Sequence, residues 1–150
     1  MLTVKDLMSS ELHVLRPNDN IFQARTMMLE KRVRHIPVLT EGGEFVGLIT
    51  KRDVLDVSVS VLADIDTKER EEIDSCIPVK EVMIRNVIIA TEETSLLEAA
   101  RYMLEQKHGC LPVFEDDKLV GIITEADFVD LAIHLMERIE LNEKKQNVTQ

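Results

Sequence analysis

The stretch Gly-Leu-Ile-Thr-Lys-Arg-Asp at residues 47–53 recurs as Gly-Ile-Ile-Thr-Glu-Ala-Asp at residues 121–127, 74 positions later. Upstream, His-Ile-Pro-Val at residues 35–38 recurs as Cys-Leu-Pro-Val at residues 110–113, 75 positions later. The change of spacing by one falls between the two motifs, and a loop is where the loss of one residue costs least. An internal repeat of this length predicts two similar folding units, or one unit built from two halves.

A third shared motif opens each copy, as Val-Lys-Asp-Leu-Met at residues 4–8 and Val-Lys-Glu-Val-Met at residues 79–83. A chain of 150 residues can bury one sizeable core, whereas a copy of roughly 60 residues is marginal alone. We therefore expect the copies to share an interface, as one body with an internal pseudo-twofold axis. The predicted boundaries are residues 1–63 and 79–142 for the copies, 64–78 for a linker or helix extension, and 143–150 for a polar C-terminal tail.

Composition and charge exclude several classes of protein. Apolar residues make up 45% of the chain and aromatic residues 3%, so the core should be aliphatic and base-stacking surfaces are disfavoured. The formal net charge of −10 opposes binding to nucleic acid or to an anionic membrane. The two cysteines lack metal-ligand spacing, and the sequence shows neither a signal peptide nor a long apolar run. We therefore expect a cytoplasmic protein with no nucleic-acid or membrane partner.

The pattern of apolar residues and turn residues predicts the order strand, helix, strand, strand, helix in each copy. Asn and Asp before the first helix favour its N-terminus, and two glycines between apolar runs favour a hairpin. In the first copy the predicted elements are a helical turn at 4–8, a strand at 12–15, a helix at 20–31, strands at 35–39 and 44–50, and a helix from 50 to about 63. In the second copy they are a strand at 87–90, a helix at 95–106, strands at 110–114 and 118–124, and a helix at 125–142.

The Thr-x-x-Asp pattern places two polar side chains where a strand ends and a helix begins. The hydroxyl of Thr50 or Thr124 can cap the helix or donate to a phosphate or ribose oxygen. The carboxylate of Asp53 or Asp127 can accept from the hydroxyls of a ribose. The alternative is that each pair is only an N-cap with a favourable acid in the first helical turn. The glycine that opens each motif predicts a close approach of the strand to a neighbour or a ligand.

Together these motifs resemble the cystathionine β-synthase (CBS) domain, and two in tandem resemble a Bateman module. The resemblance implies an α/β fold, with two β-α-β-β-α repeats packed around the pseudo-twofold axis. It also implies that an adenosine-containing ligand binds in clefts between the repeats: AMP, ADP or ATP, or alternatively S-adenosylmethionine or a dinucleotide. Carried over by motif, the ligand-binding residues are Ile36, Pro37, Thr50, Arg52 and Asp53 in one cleft, and Cys110, Leu111, Pro112, Thr124 and Asp127 in the other.

The two copies differ in the charge around the motif. Basic residues surround the first motif, whereas the matching positions in the second are mostly neutral or acidic: Lys31, Arg32, Arg34, Lys51 and Arg52 against Gln106, Lys107, Gly109, Glu125 and Ala126. Because phosphates prefer Arg and Lys, we expect the Thr50/Asp53 cleft to bind a charged nucleotide more tightly.

No catalytic or metal-binding constellation is evident. His35 and His108 have no metal partner at useful spacing, and Cys110 is interpreted as a small, partly buried strand residue rather than a redox-active one. No Ser-His-Asp or Cys-His arrangement has motif support. The sequence therefore predicts a protein that is not an enzyme and that requires no cofactor.

The resemblance implies a regulatory module that signals ligand binding to a separate, unidentified partner protein through the relative orientation of its repeats. It also implies a homodimer that pairs through helix faces. An apolar stripe at helical spacing supports such a face: Phe128, Leu131, Ala132, Leu135, Met136 and Ile139. Alternatively, the stripe only covers the sheet of its own repeat. The competing function is a ligand-free scaffold for dimerisation or docking.

Overall fold

Two similar α/β units follow one another along the chain. The computed structural model describes residues 1–59 and 66–149. The first unit contains a 3₁₀ turn (Val4–Asp6), α1 (Ile21–Lys31), β1 (His35–Leu39), β2 (Phe45–Thr50) and α2 (Lys51–Val59). Helix α3 (Thr67–Ser75) follows. The second unit contains a 3₁₀ turn (Val79–Glu81), β3 (Ala90–Thr91), α4 (Leu96–Gln106), β4 (Cys110–Glu115), β5 (Lys118–Thr124) and α5 (Glu125–Val148).

Local signals account for the first helix of each unit. Asn20 caps α1, because its side chain accepts from the backbone N–H of Gln23 at 2.9 Å and the Gln23 side chain accepts from the Asn20 N–H at 2.8 Å. Both helices end at a residue in the left-handed region with φ of 54°, Arg32 after α1 and Lys107 after α4. The predicted helices at 20–31 and 95–106 are confirmed, and the first residue of each prediction is the N-cap.

The hairpins of the two units have the same register. His35 lies opposite Thr50 in the antiparallel pair β1–β2, and Cys110 lies opposite Thr124 in the pair β4–β5. The predicted hairpin strands are therefore confirmed, with bounds that differ by at most one residue. In the second unit β3 adds a short parallel pair with β4.

The predicted strand at 12–15 is wrong, because only Leu15 pairs, through a single parallel bridge to Val38. Of the predicted strand at 87–90, only Ala90 belongs to the observed strand, Ala90–Thr91. A proline explains both. A parallel ladder continued toward the N-terminus would need an N–H from Pro37 in the first unit and from Pro112 in the second, and proline has none.

The opening turns are exchanged between the units. Val4 is fully buried in the apolar cluster of the second unit, and Val79 is fully buried in that of the first. Backbone hydrogen bonds extend the exchange, since Ser9 pairs with Ile122 in both directions at 2.9 and 3.0 Å. Ile84 pairs with Leu48 in the same way at 2.8 and 2.9 Å. Each core is therefore completed by a segment from the other unit.

The repeated glycines and methionines are partners in this exchange. A Cβ on Gly121 would lie 2.5 Å from the sulfur of Met8 and 3.0 Å from the carbonyl oxygen of Ser9. A Cβ on Gly47 would lie 2.6 Å from the sulfur of Met83. The close approach that the glycines predicted is thus an approach to the neighbouring unit.

The two cores are aliphatic, as the composition predicted. The first cluster contains Leu15, Ile21, Ala24, Met28, Ile36, Val38, Ile49, Val54, Val79 and Met83. The second contains Val4, Ala90, Leu96, Ala99, Met103, Leu111, Val113 and Ile123.

The polar segment between the units forms a helix of its own from residue 67. Asp66 caps α3 by accepting from the backbone N–H of Glu69 at 2.8 Å. Near its end, Asp74 is only 2% exposed. Its Oδ2 accepts from Nε of Arg25 in α1 at 3.1 Å and forms an ion pair with Nη2 of the same side chain, also at 3.1 Å. This part of the predicted linker is therefore a separately capped helix, joined to α1 by an ion pair.

Helix α5 continues to Val148, beyond the predicted end at 142, because four good helix formers follow, Glu143, Lys144, Lys145 and Gln146. The apolar stripe on this helix is divided. Phe128 and Leu131 pack against the second core, whereas Ala132, Leu135, Met136 and Ile139 are exposed. The part of the helix predicted from 50 to about 63 that follows residue 59 lies outside the described residues. Among the described helices, none is both long enough and apolar enough to cross a membrane.

Candidate functional site

A cleft of about 850 Å³ opens between the two units. The first unit contributes the segment after its opening turn, the end of α1 and the start of β1. The second unit contributes the end of β5 and the first turns of α5. The polar and charged lining residues include Ser9, Glu11, His13, Lys31, Arg32, Arg34 and His35 from the first unit, and Thr124, Glu125, Asp127 and Asp130 from the second. Apolar surface comes from Leu12, Ile122, Val129 and Ile133, whereas Pro37, which also borders the cleft, is fully buried.

The aspartate of each motif bonds back to the threonine before the helix, and the Thr50 hydroxyl also accepts from the backbone N–H of Asp53 at 3.2 Å. Oδ2 of Asp53 accepts from the backbone N–H of Thr50 at 2.9 Å and from its hydroxyl at 2.7 Å. Oδ2 of Asp127 accepts from the backbone N–H of Thr124 at 2.7 Å and from its hydroxyl at 3.4 Å. Helix capping and acceptance from a ribose are compatible functions of the aspartate, because the cap bonds use Oδ2 and leave out Oδ1.

The ten predicted ligand-binding residues separate into three groups. Thr124 and Asp127 line the cleft, and Pro37 borders it although its side chain is fully buried. Four are buried in the strands: Ile36, Cys110, Leu111 and Pro112. Thr50 and Asp53 are half-buried and Arg52 is exposed, and none of these three lines the cleft. The sequence grouped each Thr-Asp pair with the Pro-Val strand of its own unit, whereas this cleft joins the proline of one unit to the Thr-Asp pair of the other.

Further cleft residues were not predicted from the sequence. Asp130 and Ile133 follow Asp127 at spacings of three, so they extend the same helix face toward the cleft. That spacing was an available signal. Ser9 and His13 reach the cleft only because the opening turn is exchanged, and no local pattern indicates this.

The charges of the cleft are nearly balanced. Three cationic side chains, Lys31, Arg32 and Arg34, face four carboxylates, Glu11, Glu125, Asp127 and Asp130. All three cations come from the first unit and three of the four carboxylates from the second. The basic residues assigned to the Thr50/Asp53 motif by sequence proximity therefore also line the cleft that holds Thr124 and Asp127. The predicted order of affinities stays a prediction, now with cations shared by the second motif.

Burial sets the direction of three pKa shifts at the site. It raises the pKa of the Asp127 carboxyl, and the hydrogen bonds from Thr124 oppose this effect. It lowers the pKa of the His35 imidazole. It raises the pKa of the Cys110 thiol, which therefore stays protonated at neutral pH, as a buried strand residue rather than a reactive thiolate.

A second groove of about 500 Å³ lies between α1 and α2. Its basic lining residues are Arg25, Arg32, Arg34 and Lys51, and its apolar ones are Met28, Leu29, Val33, Val54 and Leu55. Arg32 and Arg34 border both this groove and the cleft. Within residues 1–59 and 66–149, no group of three or more His, Cys, Asp or Glu side chains is arranged to hold a metal ion.

Comparison with known proteins gives consistent matches. The model of the CBS domain family matches residues 4–60 and 79–134. The crystal structure of a putative acetoin utilization protein, AcuB, from Vibrio cholerae is 34% identical, with a TM-score of 0.77 over 93% of this chain and 96% of that chain. CBSX2 of Arabidopsis thaliana, solved in complex with AMP, is 28% identical, with a TM-score of 0.74 over 91% of this chain and 99% of that chain.

The CBS domain pair of protein MJ0100, solved with 5′-methylthioadenosine and S-adenosyl-L-methionine, is 26% identical. Its TM-score is 0.72, over 87% of this chain and 95% of that chain. The chain spans between 41% and 66% of the length of the first four curated relatives that it matches.

Proposed function

The chain belongs to the CBS domain family, as a tandem pair of CBS repeats, and on this premise we propose that it is a regulatory module that binds an adenosine-containing ligand between its repeats. The observation that carries the proposal is the cleft, which brings three cationic side chains of one repeat opposite Thr124 and Asp127 of the other. Its volume of about 850 Å³ lies within the range of small-molecule sites. Related structures that contain AMP, or 5′-methylthioadenosine and S-adenosylmethionine, support the ligand class.

Each part of a nucleotide has a complementary surface in the cleft. Oδ1 of Asp127 is available to accept from a ribose hydroxyl while Oδ2 holds the helix cap. Lys31, Arg32 and Arg34 provide charge for a phosphate. The side chains of Leu12, Ile122, Val129 and Ile133 provide an apolar surface for the adenine ring. We propose AMP, ADP or ATP as the ligand on the strength of these cations.

We propose a second ligand site at the other motif, where Thr50, Arg52 and Asp53 occupy the positions that match Thr124, Ala126 and Asp127. The buried strand residues Ile36, Cys110, Leu111 and Pro112 would shape the walls of the two sites from below. The order of affinities predicted from the sequence places the Thr50/Asp53 site first. Variants of the two aspartates test that order directly.

The proposed regulation is a linkage between ligand binding and repeat orientation. A ligand that contacts both repeats stabilises the arrangement in which both contacts are made, and a partner protein that prefers that arrangement binds more tightly. We also propose that the module is a homodimer. The exposed residues Leu135, Met136 and Ile139 on α5 support this, since paired chains would remove them from water.

A specific observation favours S-adenosylmethionine as the second candidate ligand. Four carboxylates line the cleft against three cations. The carboxylates of Glu125 and Asp130 attract a sulfonium cation, just as the arginines attract a phosphate. The third possibility, a scaffold that binds no ligand, predicts that the cleft accepts neither class.

Isothermal titration calorimetry with AMP, ADP, ATP and S-adenosylmethionine tests these proposals. Asp127→Ala should weaken binding of the preferred ligand by about tenfold or more, because a hydrogen bond to a charged group is lost. Asp53→Ala measures the second site, and equal losses in the two variants contradict the predicted asymmetry. Asp56→Ala, on the exposed surface of α2, is the control and should bind as the wild type does. No heat and no thermal stabilisation with any of the four ligands would favour the scaffold.

A further inference from the structure

His35 lies on the wall of the cleft, at the boundary between the two repeats. It is half-buried at the start of β1, and a Cβ on Gly109 of the second repeat would lie 3.0 Å from its Nε2. The same Cβ would lie 3.9 Å from the carboxyl carbon of Glu125. The imidazole of one repeat and the carboxylate of the other therefore both lie beside Gly109, and the missing side chain there is what lets the imidazole contact the second repeat.

We propose that His35 is a specificity-determining residue of this cleft, which takes up a proton when an anionic ligand binds and so favours phosphate-bearing ligands over cationic ones. The inference rests on the proposed function, because it requires a ligand in the cleft. It goes further by assigning a role in charge selection to a residue outside both Thr-x-x-Asp motifs.

Opposing influences act on the pKa of the His35 imidazole. Burial is the largest influence and lowers the pKa of the imidazole below its ordinary value, and the charge of Arg34 acts in the same direction. The carboxylates of Glu125 in the second repeat and Asp53 in its own repeat raise the pKa. The imidazole in the empty cleft therefore loses its proton more readily than a free histidine, and charged groups of both repeats act on it.

A bound anion changes this balance. A negative charge within about 4–6 Å favours the protonated imidazole and so raises its pKa. The complex then holds a proton that the free protein does not, so by linkage the affinity for the anion must rise as the pH falls. A cationic ligand such as S-adenosylmethionine opposes protonation of His35, so its affinity should fall as the pH falls.

Calorimetry of AMP binding from about pH 6 to about pH 8, in buffers of different ionisation enthalpy, counts the protons taken up on binding. The phosphate of AMP titrates in the same range, with a second pKa of about 6. The informative quantity is therefore the difference between the wild type and His35→Gln, in which the titration of AMP cancels. We expect the wild type to gain about tenfold more affinity than His35→Gln between about pH 8 and about pH 6, and to take up more protons.

Two further variants identify the responsible imidazole. His13 also lines the cleft, so His13→Gln tests the other candidate. His108 is exposed and stacks on Tyr102, so His108→Gln should retain the wild-type proton uptake. Equal proton uptake in the wild type and His35→Gln, or its loss in His13→Gln instead, overturns the inference.

A measurement on the wild type covers the case in which His35→Gln does not fold. The pKa of His35, followed by NMR, should rise when AMP is added, and an unchanged value overturns the inference. AMP binding without this dependence contradicts only the role of His35. Absence of AMP binding at every pH contradicts the proposed nucleotide site as well, so the two failures are distinguishable.

Discussion

Replacing Gly121 with alanine tests the exchange of the opening turns between the repeats. The new methyl group would lie 2.5 Å from the sulfur of Met8, 3.1 Å from its Cγ and 3.0 Å from the carbonyl oxygen of Ser9. The Met8 side chain can rotate away, but Ser9 is held by two backbone hydrogen bonds to Ile122. The strand or the turn must therefore shift, and with it the segment that fills the second core.

The expected cost is that of overpacking a well-filled site, about 1–3 kcal/mol. For a chain of this size this lowers the Tm by roughly 3–10 °C. Gly42→Ala is the matched control, because its Cβ would meet only Thr40 Oγ1 at 3.7 Å in an exposed turn with no positive φ. We expect Gly42→Ala to leave stability unchanged or to raise it slightly.

Urea unfolding followed by circular dichroism measures both variants on one scale. The midpoint of Gly121→Ala should fall while the slope m stays constant. A double-mutant cycle with Met8→Ala should show that the two substitutions are not additive, since the residues are in contact. If Gly121→Ala has the stability of Gly42→Ala, the first turn does not pack on the second repeat and the account of the exchange is wrong.

Three other predictions concern single side chains. Asp74→Ala should lower the free energy of unfolding in urea by about 1–3 kcal/mol, because a buried hydrogen-bonded pair is broken. Glu72→Ala, on the exposed side of the same helix, should lower it little. Equal effects would contradict the role of the pair. Iodoacetamide at about pH 8 should label the exposed Cys76 and leave the buried Cys110 unmodified in the folded protein, and mass spectrometry showing equal labelling would refute this. Because burial raises the pKa of Asp127, this group contributes stability at low pH that is lost as the pH rises through its folded pKa. Asp127→Asn should therefore gain stability relative to the wild type from about pH 4 to about pH 7. A difference in unfolding free energy that does not change with pH would contradict this prediction.

The hairpins and the first helix of each repeat could be predicted closely because their signals are local. Asn20 caps the helix that it precedes, and the periodic apolar residues of that helix end before Arg32, whose backbone is in the left-handed region. The short parallel strands could not be bounded in this way. Their length depends on a proline in the neighbouring strand, Pro37 or Pro112, which is distant along the chain.

The candidate site shows the same division. The chemistry of Asp127 was predictable from its position in the first turn of a helix. The cationic residues Lys31, Arg32 and Arg34 were assigned to the nearer motif, since proximity along the sequence was the only available measure. The structure places them in the cleft of the other motif. Asp74 also resembled its solvated neighbours, because only the packing of α3 on α1 distinguishes it.

The exchanged turns carry a consequence for how such a chain can arise. A lone repeat would have an empty position in its core and a valine, Val4 or Val79, with nowhere to bury it. Two identical lone repeats would satisfy each other reciprocally, as a closed symmetric pair. Joining the copies in one chain converts that bimolecular association into an intramolecular one, with a high effective concentration. A duplication of this kind preserves within one chain the contacts of a dimer. Two halves produced separately should therefore reassemble by fragment complementation.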